Sequence, residues 1–233
     1  MNQQKQTELI LALDCEDRKS ALDLIKPLQG HLKWVKIGLQ MFTAYGLPFV
    51  HEIKSMGYNV FLDLKLHDIP NTVAKAILSL SSASIDLLTI HASGGSEMCA
   101  YAVKARDESN PNLKLLAVTV LTSMNQQQME ALNVNKPVQD HVLDLAKISV
   151  DANVDGIVSS THELKLLRET LGNDPLIVTP GIRPKGADLN EQKRVMTPSD
   201  AKELGADYIV VGRPIYKSED PLESVKSILE DIR

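Results

Sequence analysis

Asp63-Leu64-Lys65 is the segment of this sequence best equipped to do chemistry. Side chains two apart on a β-strand project to the same side, so the spacing predicts a carboxylate and an ammonium facing one cavity. Lys36, on another apolar run, supplies a second cation, and Asp68 stands just beyond. In a Lys36, Asp63, Lys65, Asp68 alternation each charge is fixed against its neighbours, and a lysine held that way can act as a placed proton donor. A purely structural set of ion pairs is the weaker explanation, because two of them in a core are costly to bury.

A second group has the character of an anion site. Gly212-Arg213 joins a glycine, which lets backbone N–H groups approach oxygens, to a planar guanidinium fork. Arg183 and Gln192, on a long segment earlier in the chain, are placed to close over it. The six histidines (His31, His51, His67, His91, His141 and His162) lack HxxxH or HExxH spacing, so no metal site is expected. His91 reads either as an orienting neighbour at a strand end or as a satisfied core histidine, and His67 as a side chain pointing outward. Neither a GxSxG elbow nor a P-loop is present.

These residues need elements to hold them. Strands are expected at Leu9 to Asp14, Trp34 to Gly38, Val60 to Lys65, Leu87 to His91, Leu115 to Leu121, Gly156 to Ser159, Leu176 to Thr179 and Tyr208 to Gly212. Most are continuous apolar runs, as in parallel strands covered on both sides. Helical spacing lies between them: Val73, Ala76, Ile77 and Leu80 share a face, as do Val138, Val142, Leu145 and Ser149, and Leu222, Val225, Leu229 and Ile232. Thr197-Pro198-Ser199-Asp200, Asp220-Pro221-Leu222-Glu223 and Ser160 to Glu163 read as helix starts, and Gly57 and Gly205 as stops. Eight such units predict one α/β domain over residues 1–233, a TIM (β/α)8 barrel. An open doubly wound sheet would carry a Gly-rich first turn, and Asp14-Cys15-Glu16-Asp17 is the reverse of one. Long connections are expected at Thr122 to Lys136 and Arg183 to Met196, in the manner of lids or binding loops.

On that barrel the polar residues gather at the C-terminal strand ends, where TIM-barrel active sites are built. They are Asp14, Lys36, Asp63, Lys65, His91, Thr122, Ser123, Pro180, Gly181, Arg183, Gly212 and Arg213. Loops after strands seven and eight of this fold frequently bind phosphate, which agrees with the Gly212-Arg213 reading. A formal net charge of -5 argues against a nucleic-acid partner but leaves room for a phosphorylated metabolite held by local cations. Cys15 and Cys99 form no framework and read as buried thiols in a reducing compartment. With no signal-peptide pattern and no membrane-length apolar run, the expected location is cytoplasmic.

Val60-Phe61-Leu62-Asp63-Leu64-Lys65-Leu66-His67-Asp68-Ile69-Pro70-Asn71-Thr72 closely resembles the signature segment of the orotidine 5′-phosphate decarboxylase family. Leu11-Ala12-Leu13-Asp14, Val35-Lys36-Ile37-Gly38, Leu121-Thr122-Ser123, Thr179-Pro180-Gly181-Ile182-Arg183 and Val211-Gly212-Arg213-Pro214 match in order, so the resemblance spans essentially the whole chain. It implies cofactor-free loss of CO2 from orotidine 5′-monophosphate, with Lys65 protonating C6 and Asp63 beside the departing carboxylate. It further implies that Asp14 and Lys36 bind ribose hydroxyls, and that Thr122 and Ser123 meet the pyrimidine edge. Gln192, Arg183, Gly212 and Arg213 would hold phosphate, with Pro180 in the binding site. Asp68 and Thr72 would reach the partner's site in a homodimer. A Mg2+-dependent sugar-phosphate decarboxylase or lyase of the same superfamily needs an acid on strand two, where this chain has Lys36. A silent nucleotide-phosphate binder would have little use for the charge array.

Overall fold

Ile10, Ala12 and Asp14 share one phase of the first strand, and Leu9, Leu11 and Leu13 the other. In the computed structural model, which describes residues 6–184 and 196–233, that two-residue alternation sorts the core into two layers. Leu9, Leu11 and Leu13 belong to the larger cluster between strands and helices. Ile10 and Ala12 join Phe61, Leu87, Leu116, Val178 and Val210 inside the barrel. Trp34 and Tyr208 pack edge to face in that interior, with ring centroids 5.2 Å apart.

The strands are β1 (Glu8–Ala12), β2 (Trp34–Gly38), β3 (Asn59–Leu66), β4 (Leu87–His91), β5 (Lys114–Val118), β6 (Gly156–Val158), β7 (Leu176–Pro180) and β8 (Tyr208–Val211). All pair in parallel in chain order, and β1 against β8 closes the ring. The expected barrel is therefore observed. The helices are α1 (Arg18–Ile25), α2 (Leu39–Ser55), α3 (Pro70–Ser79), α4 (Gly95–Ser109), α5 (Gln126–Ala131), α6 (Val138–Asp151), α7 (Leu164–Leu171), α8 (Pro198–Glu203), α9 (Arg213–Tyr216) and α10 (Pro221–Asp231). Each anticipated helical face packs inward: Val73 and Ile77, Val142 and Leu145, and Val225 are buried, with Leu222 and Leu229 partly covered. Gly57 and Gly205, at φ 89° and 91°, end α2 and α8 in the left-handed region that glycine enters cheaply. No helix among the described residues is long and apolar enough to cross a membrane.

Three local expectations are adjusted. β5 stops at Val118 instead of running to Leu121, because its neighbour β6 is three residues long and the ladder ends at Val118 opposite Val158. The segment Thr122 to Lys136 is not all loop. Asn125 and Gln128 form a reciprocal capping box that starts α5, and Met129 anchors it in the core. Ser160 caps a 3-10 turn through the His162 N–H at 3.2 Å, while Glu163 turns inward to within 3.5 Å of the Ser159 hydroxyl. The reciprocal box forms as expected between Thr197 and Asp200.

The N-terminal end of the barrel is held by a repeated clamp. An aspartate just before an even strand accepts a backbone N–H from the preceding odd strand and meets a cation from the helix that leads into that odd strand. Asp86 takes the Val60 N–H at 2.7 Å and pairs with Lys54 at 2.8 Å. Asp155 takes the Leu115 N–H at 3.0 Å and pairs with Arg106 and Lys114. Asp207 takes the Ile177 N–H at 2.7 Å and pairs with Arg168 at 2.6 Å. Before β2 the charges are exchanged: Lys33 stands there and pairs with Glu8 of β1 at 3.0 Å. Breaking a well-buried clamp strands both a cation and an N–H. Asp207→Ala is therefore expected to cost about 3 kcal/mol, read as a lower urea midpoint at unchanged slope. A loss under about 1 kcal/mol would show that this end is held mainly by apolar packing.

Candidate active site

Strand phase carries three charged side chains to the C-terminal mouth of the barrel. Asp14 continues the inward series of β1, Lys36 follows Trp34 on β2, and Asp63 follows Phe61 on β3. There they form one row. The Lys36 Nζ lies 3.3 Å from Asp14 Oδ1 and 3.5 Å from Asp63 Oδ2, and the Lys65 Nζ lies 2.8 Å from Asp63 Oδ1. Within this chain the alternation reads Asp14, Lys36, Asp63, Lys65. Gly38 keeps the row open, since a Cβ there would stand 2.9 Å from the Lys36 Nζ.

Lys65 reaches Asp63 by a route that simple strand alternation does not describe. The β3–β4 register steps from Leu62 opposite Leu88 to Leu66 opposite Ile90, so β3 bulges across residues 63–65. Lys65 itself has φ 51°, the left-handed region, which costs a non-glycine residue roughly 1–2 kcal/mol. Its N–H finds the Thr89 hydroxyl at 2.8 Å, and that hydroxyl lies 3.0 Å from Asp63 Oδ1. Strain at a non-glycine residue is characteristic of functional sites, where the surroundings hold it in place.

The charges sit in a partly dry setting. The Asp63 side chain is 13 % exposed and that of Lys36 12 %. Burial pushes the Asp63 carboxyl upward, but Lys36, Lys65 and the Lys65 and Thr89 hydrogen bonds outweigh it and hold the group below the usual carboxylate range. Burial also lowers His91, helped by His67 and Lys65 and opposed by Asp63. That favours a neutral imidazole near neutral pH. His67 is exposed, as expected, and one side of its ring lies against His91, with centroids 5.2 Å apart and planes tilted by 33°.

The same cavity, of about 280 Å³, has a cationic wall. Arg183 and Arg213 both line it, and no carboxylate among the described residues pairs with either. Burial and the charge of Arg213 lower the Arg183 guanidinium, while Tyr216 opposes them. Two mutually repelling guanidinium groups with no carboxylate partner among the described residues suit an anion chemically, and the Arg fork matches phosphate oxygens. Between the charge row and this wall the lining is largely apolar: Ala12, Phe61, Val118, Val158, Val178 and Val210.

Of the residues expected from sequence, Asp14, Lys36, Asp63, Lys65, Thr122, Pro180, Arg183, Gly212 and Arg213 share this cavity. Ser123 lines an adjoining cavity that also shares Thr122, Pro180 and Arg213. Asp68 and Thr72 are exposed and line neither, and the Asp68 carboxylate accepts the Ile69 N–H at 2.7 Å. Gln192 lies outside the described residues. Among the described residues no cluster of three His, Cys, Asp or Glu side chains is arranged to hold a metal. Cys15 and Cys99 are both buried free thiols, and burial lifts that of Cys15 to about 11. Two site residues escape the sequence reading. Tyr216 enters the cavity one helical turn after Arg213, a spacing that could have flagged it. Thr89 interrupts the apolar run of β4 with a hydroxyl, and only the bulge opposite gives it a role.

A closed parallel barrel with charged groups and an arginine-lined anion pocket at the C-terminal strand ends defines a TIM-barrel enzyme of the kind that acts on phosphorylated small molecules. Residues 7–228 match the model of the "Orotidine 5'-phosphate decarboxylase / HUMPS family". The chain is 46% identical over 226 residues to the orotidine 5'-phosphate decarboxylase of Opitutus terrae, covering 97% of this chain and 98% of that one. It is 47% identical over 222 residues to that of Staphylococcus saprophyticus, covering 95% and 96%. The crystal structure of orotidine 5'-phosphate decarboxylase from Lactobacillus acidophilus superposes with a TM-score of 0.88 at 36% identity, covering 97% of this chain and 99% of that one. The chain belongs to the orotidine 5'-phosphate decarboxylase family.

The Asp63 environment has a direct signature. Its depressed pKa means that the ionised form stabilises the fold above the unfolded value of about 3.9, and that this contribution is lost as pH falls through the lower folded value. In a carbon-detected titration the Asp63 carboxyl is expected to stay ionised below that reference value. Lys65→Met, which removes one stabilising cation, moves the midpoint upward. An unmoved midpoint would remove Lys65 from the electrostatic row.

Proposed function

We propose that this chain converts orotidine 5'-monophosphate to uridine 5'-monophosphate and CO2 without a cofactor. The supporting observation is the Lys65 ammonium, held 2.8 Å from a buried carboxylate in the cavity that also carries Arg183 and Arg213. When the C6–carboxylate bond breaks, its electron pair stays in an sp2 orbital at C6 that the ring π-system cannot delocalise. Stabilisation must then come from a pre-placed positive charge in a water-poor site. Lys65 supplies that charge and transfers its proton to C6, and solvent later restores it. Asp63 sits beside the departing carboxylate and, with Lys36, keeps Lys65 in place. Arg183, Gly212 and Arg213, with Gln192, hold the phosphate. Asp14 and Lys36 take the ribose hydroxyls, and Thr122 and Ser123 the pyrimidine edge, with Pro180 against the bound nucleotide.

A reaction of this kind can demand the upper end of enzymatic barrier lowering, about 23 kcal/mol. One ammonium cannot supply that, so remote phosphate and ribose contacts must contribute to holding the reacting geometry. The Mg2+-dependent alternative fits less well. Lys36 stands between Asp14 and Asp63 and already neutralises the carboxylates that a divalent cation would need.

In this reading one catalytic domain of residues 1–233 works as a cytoplasmic homodimer. Asp68 and Thr72, exposed and outside their own cavity, complete the partner's site and extend the charge row to Lys36, Asp63, Lys65 and the partner's acid. Sedimentation at micromolar concentration is expected to give twice the 25.6 kDa chain mass. A monomer with full activity would remove Asp68 and Thr72 from the site.

The activity is tested by following loss of the orotate chromophore with EDTA present throughout. Rapid conversion to uridine 5'-monophosphate is expected. Lys65→Ala should lose nearly all turnover, at least about 1000-fold, while still binding the product. No conversion by a folded protein, or near-normal kcat in Lys65→Ala, would overturn the assignment.

A further inference from the structure

We propose that Thr89 is a positioning residue for the reaction, its single hydroxyl fixing both the backbone of Lys65 and the carboxylate of Asp63. The role in turnover rests on the reaction proposed above, and the positioning itself rests on geometry alone. Where β3 bulges, the β4 ladder advances only from Leu88 to Ile90, and Thr89 is the residue that spans the gap. The backbone N–H of Lys65 donates instead to the Thr89 Oγ1, at 2.8 Å. The hydroxyl has one hydrogen to give, and it goes to Asp63 Oδ1 at 3.0 Å, the same oxygen that receives the Lys65 ammonium at 2.8 Å. One side chain thus closes a loop through Lys65 N–H, Thr89 Oγ1, Asp63 Oδ1 and Lys65 Nζ.

Thr89 suits this task for three reasons. It is fully buried, with Leu88 and Ile90 as buried neighbours on its strand, so solvent cannot readily replace its hydroxyl. Its β-branched side chain has restricted χ1 freedom, which aims the oxygen. The N–H it accepts belongs to a residue at φ 51°, a conformation that persists only where the surroundings hold it. Thr89 does not line the substrate cavity, so it acts through Lys65 and Asp63.

Thr89→Val keeps the shape and removes the hydroxyl, and Thr89→Ser keeps the hydroxyl. Losing a hydrogen bond to charged partners corresponds to a fall in kcat of roughly 10- to 100-fold for the valine variant. KM for orotidine 5'-monophosphate and Kd for uridine 5'-monophosphate should stay within about 3-fold, because remote contacts are untouched. The serine variant should stay within about 3-fold of the unaltered enzyme in kcat. A merely structural residue would lower thermal stability without this split or this rescue. Exchange of the Lys65 amide, followed by NMR with no substrate present, gives a second reading: protected in the unaltered protein and the serine variant, and at least about 10-fold faster in the valine variant. Should the valine variant not fold, Thr89→Cys, a weaker donor and acceptor, is expected to show the same kcat loss at constant KM. A valine variant with kcat within about 3-fold of normal, or with unchanged Lys65 amide exchange, would overturn the proposal. If the unaltered protein fails to decarboxylate the nucleotide, the reaction reading falls, and the amide exchange of the valine and serine variants decides the positioning role by itself.

Discussion

Asp63 is the charge on which the site depends. It is a largely buried carboxylate contacted by two ammonium groups and a hydroxyl. Taking such a group out of water costs several kcal/mol, and one ion pair seldom repays that. Here the repayment is shared among Lys36, Lys65 and Thr89, and the carboxyl stays below its usual range despite burial. The same arrangement sets the Lys65 ammonium beside the apolar side chains that line the middle of the cavity. In the proposed reaction a stabilising pair and a proton donor are two descriptions of one contact.

The barrel separates stability from strain along its axis. At the N-terminal end, aspartates clamp strand N–H groups and helix cations in a repeated pattern. Every partner there is opposite in charge, and every aspartate also satisfies a backbone donor. At the C-terminal end the rules are relaxed: Lys65 is left-handed, β3 is bulged, and Arg183 faces Arg213. A scaffold locked at one end can carry such costs at the other, which is how a catalytic geometry is kept despite its local expense.

Decarboxylation as proposed here needs little covalent chemistry from the protein. It needs a placed charge, exclusion of water and a grip on distant parts of the substrate. The lining of the cavity divides along those lines, with the charge row at strands β1 to β3, apolar side chains across the middle, and the arginines after β7 and β8. The two polar groups come from opposite stretches of the chain, and ring closure between β1 and β8 brings them to one opening.

The sequence by itself determined the barrel and most of the site. Runs such as Trp34–Gly38 and Leu87–His91 are mostly apolar, broken only by Lys36 and by Thr89 and His91, because both sides of a parallel strand are covered, so their bounds are legible without coordinates. Asp63, Lys65, Arg183 and Gly212-Arg213 are legible because their residue types are costly or unusual at strand ends. What only the tertiary structure decided depends on neighbours distant in sequence. The early end of β5 is set by the length of β6, and the union of Asp14 with Lys36 by the β1–β2 register. Tyr216 becomes a site residue only when the ring closes, and Thr89 only because β3 bulges opposite it. Local pattern records which side of a strand a residue faces, whereas register, bulges and closure arise between strands and leave little trace in either strand alone.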